Sequence, residues 1–122
     1  MFRITVEKRF RASHGLRLPA GSRENLHSHD WLVRACVAAD SLDAMGLVMD
    51  FEKLGRIMDD IIQPLAGSEL EALRVFRDVN CSAENVAEYI FKAIEPRLDR
   101  RVRLDAVEVM ESPGCLAKYS RD

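Results

Sequence analysis

Residues 2–14 read FRITVEKRFRASH. Phe2, Ile4, Val6, Phe10 and Ala12 occupy one parity, with Lys8 as the exception, and Arg3, Thr5, Glu7, Arg9, Arg11 and Ser13 occupy the other. Successive side chains of an extended chain point to opposite faces, so this alternation predicts a strand with one face buried. His14 falls on the apolar side. Beyond a loop that holds Pro19 and Gly21, a second strand is expected from about Leu26 to Ala39. Its parity set of His27, His29, Trp31, Val33, Ala35 and Val37 is again apolar apart from the histidines.

The period then changes. Leu54, Ile57, Met58, Ile61 and Ile62 recur at helical spacing after Asp50, a residue suited to cap a helix running through about Gln63. Pro64 and Gly67 break it. Ser82 is the candidate cap of a second helix, which would bury Val86, Ile90, Ala93 and Ile94 before Pro96 ends it. Two more strands are expected at about 102–111 and 115–120, joined through Ser112-Pro113-Gly114. The order ββααββ predicts an α+β fold in which a four-stranded antiparallel sheet carries two helices on its apolar face. Such a sheet leaves two long edges in a monomer, so a homo-oligomer is the physical expectation.

With 122 residues, 48% hydrophobic and 31% charged, the chain is expected to form one domain over 1–122. A formal net charge of −2 is far from the basic balance of a nucleic-acid binder. No apolar run approaches the roughly 20 residues that span a bilayer, and the charged, alternating N-terminus does not resemble a signal peptide. Cys36, Cys81 and Cys115 are odd in number and form no CxxC pair, which argues against a disulfide framework and for a cytoplasmic location.

His14, His27 and His29 are all the histidines in the chain. Residues i and i+2 of a strand face the same side, so His27 and His29 present both rings together, and His14 ends the neighbouring strand on its apolar parity. The competing reading is a pair of surface histidines and a satisfied strand-end ring. Three imidazoles on an apolar parity need polar partners or a metal, which favours the metal. Three nitrogen donors with a fourth position open form a catalytic type of zinc site (Zn2+), although cobalt, nickel or iron also accept such donors.

The segments FRASH (10–14), HSHDW (27–31), GLVMDFEKL (46–54), NCSAENVAEYI (80–90) and VEVMES (107–112) occur in the order and spacing of one family. They resemble the 6-pyruvoyl-tetrahydropterin synthase and 6-carboxy-tetrahydropterin synthase family, which has the tunnelling fold. The resemblance covers nearly the whole chain. It implies zinc held by His14, His27 and His29, a trimer closed into a barrel, and two trimers stacked as a hexamer with sites between subunits. It implies a lyase-type enzyme acting on 7,8-dihydroneopterin triphosphate or a related pterin. It also implies that Glu111 anchors the pterin ring and that Ser82 and Glu84 line the pterin pocket; the competing readings are a solvated strand-end acid, a helix cap and a first-turn acid.

The chain departs from the family at its proton-transfer residues. The family's cysteine, four residues before the first histidine of the pair, is Arg23 here. A subgroup uses glutamate at that position, and the nearest is Glu24, the candidate base. The family's Asp-His pair after the first helix is Ala66-Gly67. Cys81 precedes a helix N-terminus, where a thiol can be activated, but a buried incidental cysteine is the competing reading. Three functions therefore stand open: a zinc-dependent pterin lyase with altered acid-base groups, a non-catalytic or differently reactive pterin-binding paralogue, and a metal-stabilised scaffold. Retention of Glu111 beside the histidines argues against the third.

Overall fold

The computed structural model describes residues 1–122. Strands β1 (Phe2–His14) and β2 (His27–Ala39) are followed by helices α1 (Phe51–Ile62) and α2 (Ala83–Ile94), then by strands β3 (Arg103–Ser112) and β4 (Cys115–Tyr119). The sheet is antiparallel in the order β1-β2-β3-β4. The ββααββ order and the single four-stranded sheet agree with the sequence pattern. Short 3-10 turns at Leu70–Ala72 and Arg74–Phe76 fill the connection between the helices, which the periodicity does not reveal.

Both helices start where their caps dictate. Asp50 Oδ1 accepts from Glu52 N at 2.9 Å, and Ser82 Oγ accepts from Asn85 N at 3.1 Å. The α1 stripe of Leu54, Ile57, Met58, Ile61 and Ile62 is buried. On α2 the buried set is Ala83, Val86, Ala87, Ile90, Phe91 and Ile94, with Ala93 only half-buried. Helix α1 lies over β1, and α2 lies over β3 and β4. Trp31, Val33, Ala35 and Val37 close the core from the sheet.

Lys8 breaks the apolar parity of β1 without exposing a flaw. Its stem reaches over Gly55 of α1, where a Cβ would stand 3.4 Å from Lys8 Cε, and its ammonium donates to Asp59 at 3.2 Å. The opposite, helix-free face carries cross-strand ion pairs, Arg3 with Asp105, Arg34 with Glu7 and Arg11 with Asp30.

Three details position the far end of β1 and β2. Gly67, with φ of 75°, lets the chain turn so that its N–H donates to Arg11 O at 2.7 Å, while Ser13 N donates to Ser68 O at 3.0 Å. The Pro113-Gly114 turn, with Gly114 at φ 83°, has the residue order of a type II turn and joins β3 to β4. Just before it, Met110 pairs with Leu116 and Ser112 with Cys115, so Glu111 is the extra residue of a β-bulge. A bulge re-aims the side chain it carries.

Candidate metal centre

The three imidazoles and the bulged Glu111 meet. One donor atom from each of His14, His27, His29 and Glu111 lies within 4.8 Å of all the others. His14 pairs across the sheet with His27, and Ala12 with His29, so the β1–β2 register brings all three histidines to one end. Ring centroids are 4.6 Å apart for His14 and His27, 4.7 Å for His27 and His29, and 5.1 Å for His14 and His29. The rings are steeply inclined to one another, by 67° to 86°. Trp31 forms the floor beneath His14, with its indole N–H donating to Ala12 O at 3.1 Å.

Backbone carbonyls set the tautomers. His14 Nδ1 lies 2.7 Å from Cys81 O, and His27 Nδ1 lies 3.0 Å from Asn25 O. A carbonyl only accepts, so each Nδ1 carries a proton, and in the neutral tautomer this selects it is Nε2 that presents the lone pair. Oriented imidazoles of this kind are what metal ligands require. His14 is fully buried, His29 is half-buried and His27 opens to solvent, so the group sits at the rim of the core instead of inside it. Burial of the His29 ring lowers its pKa, opposed by Glu111 and helped by His14, His27 and Arg11, a shift toward the neutral form.

The contacts with Glu111 test whether an ion fits. Glu111 Oε1 is 3.2 Å from His14 Nε2 and 3.2 Å from His29 Nε2. With Nδ1 of His14 protonated, its Nε2 and the carboxylate oxygen are two acceptors facing each other. His29 Nε2 is buried and makes no well-formed hydrogen bond. Facing lone pairs at this distance call for a proton or a cation between them. Tetrahedral bonds of about 2.0–2.1 Å place neighbouring ligands about 3.3 Å apart; the two histidine–Glu111 contacts have that spacing, and all four donors stay within 4.8 Å. The donor set fits a divalent ion.

The other candidate residues stand outside this group. Glu24 is exposed in the loop before β2, its Oε1 accepting from Leu16 N at 3.0 Å and its own N–H donating to Leu16 O at 2.9 Å. Ser82 spends its hydroxyl on the α2 cap, and Glu84 is exposed in the first turn. Arg23 is exposed and bridges Arg17. Ala66 and Gly67 bring no titratable group; Gly67 N–H instead docks the chain on β1, and Ala66 N–H closes the end of α1 on Ile62 O. Cys81 is fully buried, and its thiol is pushed up to about 12 by burial first and by the charge of Glu71 next. Its carbonyl, not its sulfur, serves the site. Residue type gave no hint of that, nor of the Asn25 carbonyl, because both are backbone groups. Glu71 was also missed; its Oε1 accepts from Gly15 N at 2.8 Å, while its Oε2 is buried without a partner.

Beside the histidines, where the β2–β3 ladder ends at Leu32 and Met110, a cleft of ≈ 330 Å³ opens. His29, Glu111, Ser112 and Arg9 are among the residues that line it.

Residues 3–122 match the profile of the 6-pyruvoyl tetrahydropterin synthase family. A dihydroneopterin monophosphate aldolase of Pyrococcus furiosus is 28% identical over 109 residues, which cover 89% of each chain. Among solved structures, the 6-pyruvoyl tetrahydropterin synthase of Caenorhabditis elegans superposes with a TM-score of 0.85 at 22% identity, covering 100% of this chain and 98% of that one. A Plasmodium vivax 6-pyruvoyltetrahydropterin synthase with a catalytic glutamate changed to alanine gives a TM-score of 0.77 at 20% identity, covering 99% and 98%. At these identities the structures speak for the fold.

Proposed function

This chain belongs to the 6-pyruvoyl tetrahydropterin synthase family, and on that premise we propose that it is a zinc-dependent lyase that cleaves the side chain of a phosphorylated 7,8-dihydroneopterin in an aldolase-type reaction. The observation that supports this reading is the convergence of three imidazoles and one carboxylate within 4.8 Å, with Nε2 of His14 and of His29 each 3.2 Å from the same Glu111 oxygen. His14, His27 and His29 would hold the ion, which supplies Lewis acidity toward the side-chain oxygens when bound. The relative's name favours the aldolase form over loss of triphosphate.

The chain's own groups then have separate tasks. Glu24, with Oε1 occupied by Leu16 N–H, keeps Oε2 to take the proton of the side-chain 2′-hydroxyl. As that oxygen becomes a carbonyl, the C1′–C2′ bond breaks and its electron pair passes into the adjacent C6=N5 imine of the ring. Protonation at C1′ restores the imine and releases a 6-hydroxymethyl dihydropterin and a phosphorylated two-carbon aldehyde. The glutamate that is catalytic in the Plasmodium vivax protein is a precedent for a carboxylate base in this fold. Glu111 would anchor the amino edge of the ring from the mouth of the cleft, as a carboxylate can. Ser82 and Glu84 would border the pocket of a neighbouring subunit in a homo-oligomer.

The test is direct. Protein assayed for metal content is incubated with the mono- and triphosphate of 7,8-dihydroneopterin, and products are separated by mass. The expected products are the hydroxymethyl pterin and the phosphorylated aldehyde, abolished together with bound metal in His27→Ala. Pyruvoyl or carboxy products would replace the aldolase assignment with the synthase one. Full metal and saturable pterin binding with no turnover over hours would leave a pterin-binding paralogue, a reading favoured by the absence of a titratable group at Ala66-Gly67.

A further inference from the structure

Glu24 sits in a stretch that cannot be held by packing, since every residue from Arg17 to Ser28 is exposed. What holds it is hydrogen bonding to the chain that leaves β1. Arg17 forms an antiparallel bridge with Arg23, and Glu24 N donates to Leu16 O at 2.9 Å. Leu16 N finds no carbonyl in return; it donates to Glu24 Oε1 at 3.0 Å, so the side chain closes the ladder. Gly15 lies so near that a Cβ there would stand 2.7 Å from Glu24 O. Groups along an extended chain alternate sides, and the N–H groups of Gly15 and Arg17 point away from Glu24. Both meet side chains of the connection between the helices. Gly15 N donates to Glu71 Oε1 at 2.8 Å, and Arg17 N donates to Asn80 Oδ1 at 2.8 Å. Asn80 Nδ2 donates back to Arg17 O at 3.1 Å, and the Arg17 guanidinium donates to Arg77 O at 2.8 Å.

Residues 15–17 are thus the middle layer of three, and the outer layer is bolted to the core. Leu70, Phe76 and Cys81 are fully buried on either side of Glu71 and next to Asn80. Glu71 itself is kept at a cost. Its Oε2 is buried without a donor, and the bond from Gly15 N–H is what its carboxyl makes in return. We propose that Glu71 and Asn80 are positioning residues for the reaction: by gripping Gly15 and Arg17 they aim Leu16 N–H at Glu24, which orients that carboxylate and leaves its Oε2 free for the proton. The same grip steadies Asn25, whose carbonyl turns His27. This deepens the function proposed above and rests on Glu24 as its base. A base on an exposed loop gains its advantage only when its approach is fixed in advance.

Asn80→Ala and Glu71→Ala each loosen the grip without touching Glu24, so one serves if the other does not fold. With metal at saturation, each is expected to lower kcat on dihydroneopterin monophosphate at least about tenfold while KM stays within about twofold. Glu71→Gln keeps the acceptor for Gly15 N–H and should restore kcat, because the grip needs the oxygen and not the charge. In a Glu24→Gln background, Asn80→Ala should cost nothing further, since groups acting as one unit are not additive. A purely structural role would lower Tm, leave kcat per metal-loaded molecule unchanged and add to the Glu24→Gln loss; that pattern would overturn the proposal. Hydrogen exchange resolved to single amides tests the grip without turnover. The amides of Leu16 and Glu24 touch neither Glu71 nor Asn80, yet they should exchange at least about tenfold faster in Asn80→Ala. Unchanged exchange at both would sink the grip. Absence of all pterin turnover in the wild type, or an unaltered rate in Glu24→Gln, would instead count against the reading above, and the exchange rates would still decide whether Glu71 and Asn80 hold Glu24.

Discussion

Two of the three histidines of the candidate centre depend on backbone groups. The carbonyl of Cys81 turns His14, and the carbonyl of Asn25 turns His27. That division of labour gives a sharp expectation for Cys81. A thiol pushed up to about 12 has a thiolate fraction of only about 10⁻⁴ at pH 8, and it is fully buried. Iodoacetamide should therefore modify exposed Cys115 and spare Cys81 in the native protein, as read by peptide mass; rapid labelling of Cys81 would reopen its candidacy as a nucleophile. Glu24 is the converse case, exposed and tied by one oxygen only. Glu24→Gln preserves the hydrogen bond to Leu16, so turnover should drop about 10²–10⁴-fold with metal content unchanged, and an unaltered rate would eliminate it as the base.

At the scale of elements, two glycines carry opposite expectations. A Cβ on Gly15 would stand 2.7 Å from Glu24 O, a backbone atom that cannot step aside alone. Gly15→Ala should thus push residues 24–25 off the end of β1, weaken metal binding through the Asn25 carbonyl, and lower Tm. Wild-type metal affinity in that variant would contradict the close approach. Gly55 lies inside α1, where its Cβ would meet only the flexible end of Lys8 at 3.4 Å. Helix propensity then dominates, and Gly55→Ala should stabilise the fold by about 0.5–1 kcal/mol in urea unfolding. Period and caps made these elements legible in the sequence: alternation marked β1 and β2, the helical stripe marked α1, and Asp50 and Ser82 marked the helix starts. The bulge that aims Glu111 and the 3-10 turns that present Glu71, Arg74 and Arg77 were not legible. Neither leaves a repeating pattern, and both follow from how distant segments dock. The parity that grouped the three histidines was sound, but it could not show that His27 faces solvent, since exposure at a strand end depends on what the next loop covers.

For the whole molecule, the unresolved demand is at the sheet edges. The last turns of β1 are covered by residues 67–69, which pair with Arg11 and Ser13. The rest of that edge is open, and the helices cover its apolar side only in part: Phe2 is 48% exposed, and Ile4 and Val6 are only half-buried. At the other edge, β4 is open and Leu116 is 46% exposed. An extended apolar edge on a monomer invites strand pairing, and a head-to-tail contact of β4 with β1 of another copy would satisfy both edges in a closed ring. Light scattering on the eluting protein should then give a mass that is a multiple of 13.8 kDa greater than one. Because the histidines lie at the end of the covered part of β1, removing metal with a chelator should lower Tm while leaving that mass unchanged, since the two demands are met by different atoms. A monomer at micromolar concentration would mean that the exposed edge is tolerated as it stands. Loss of the oligomer on chelation would mean that the ion, and not strand pairing, holds the copies together.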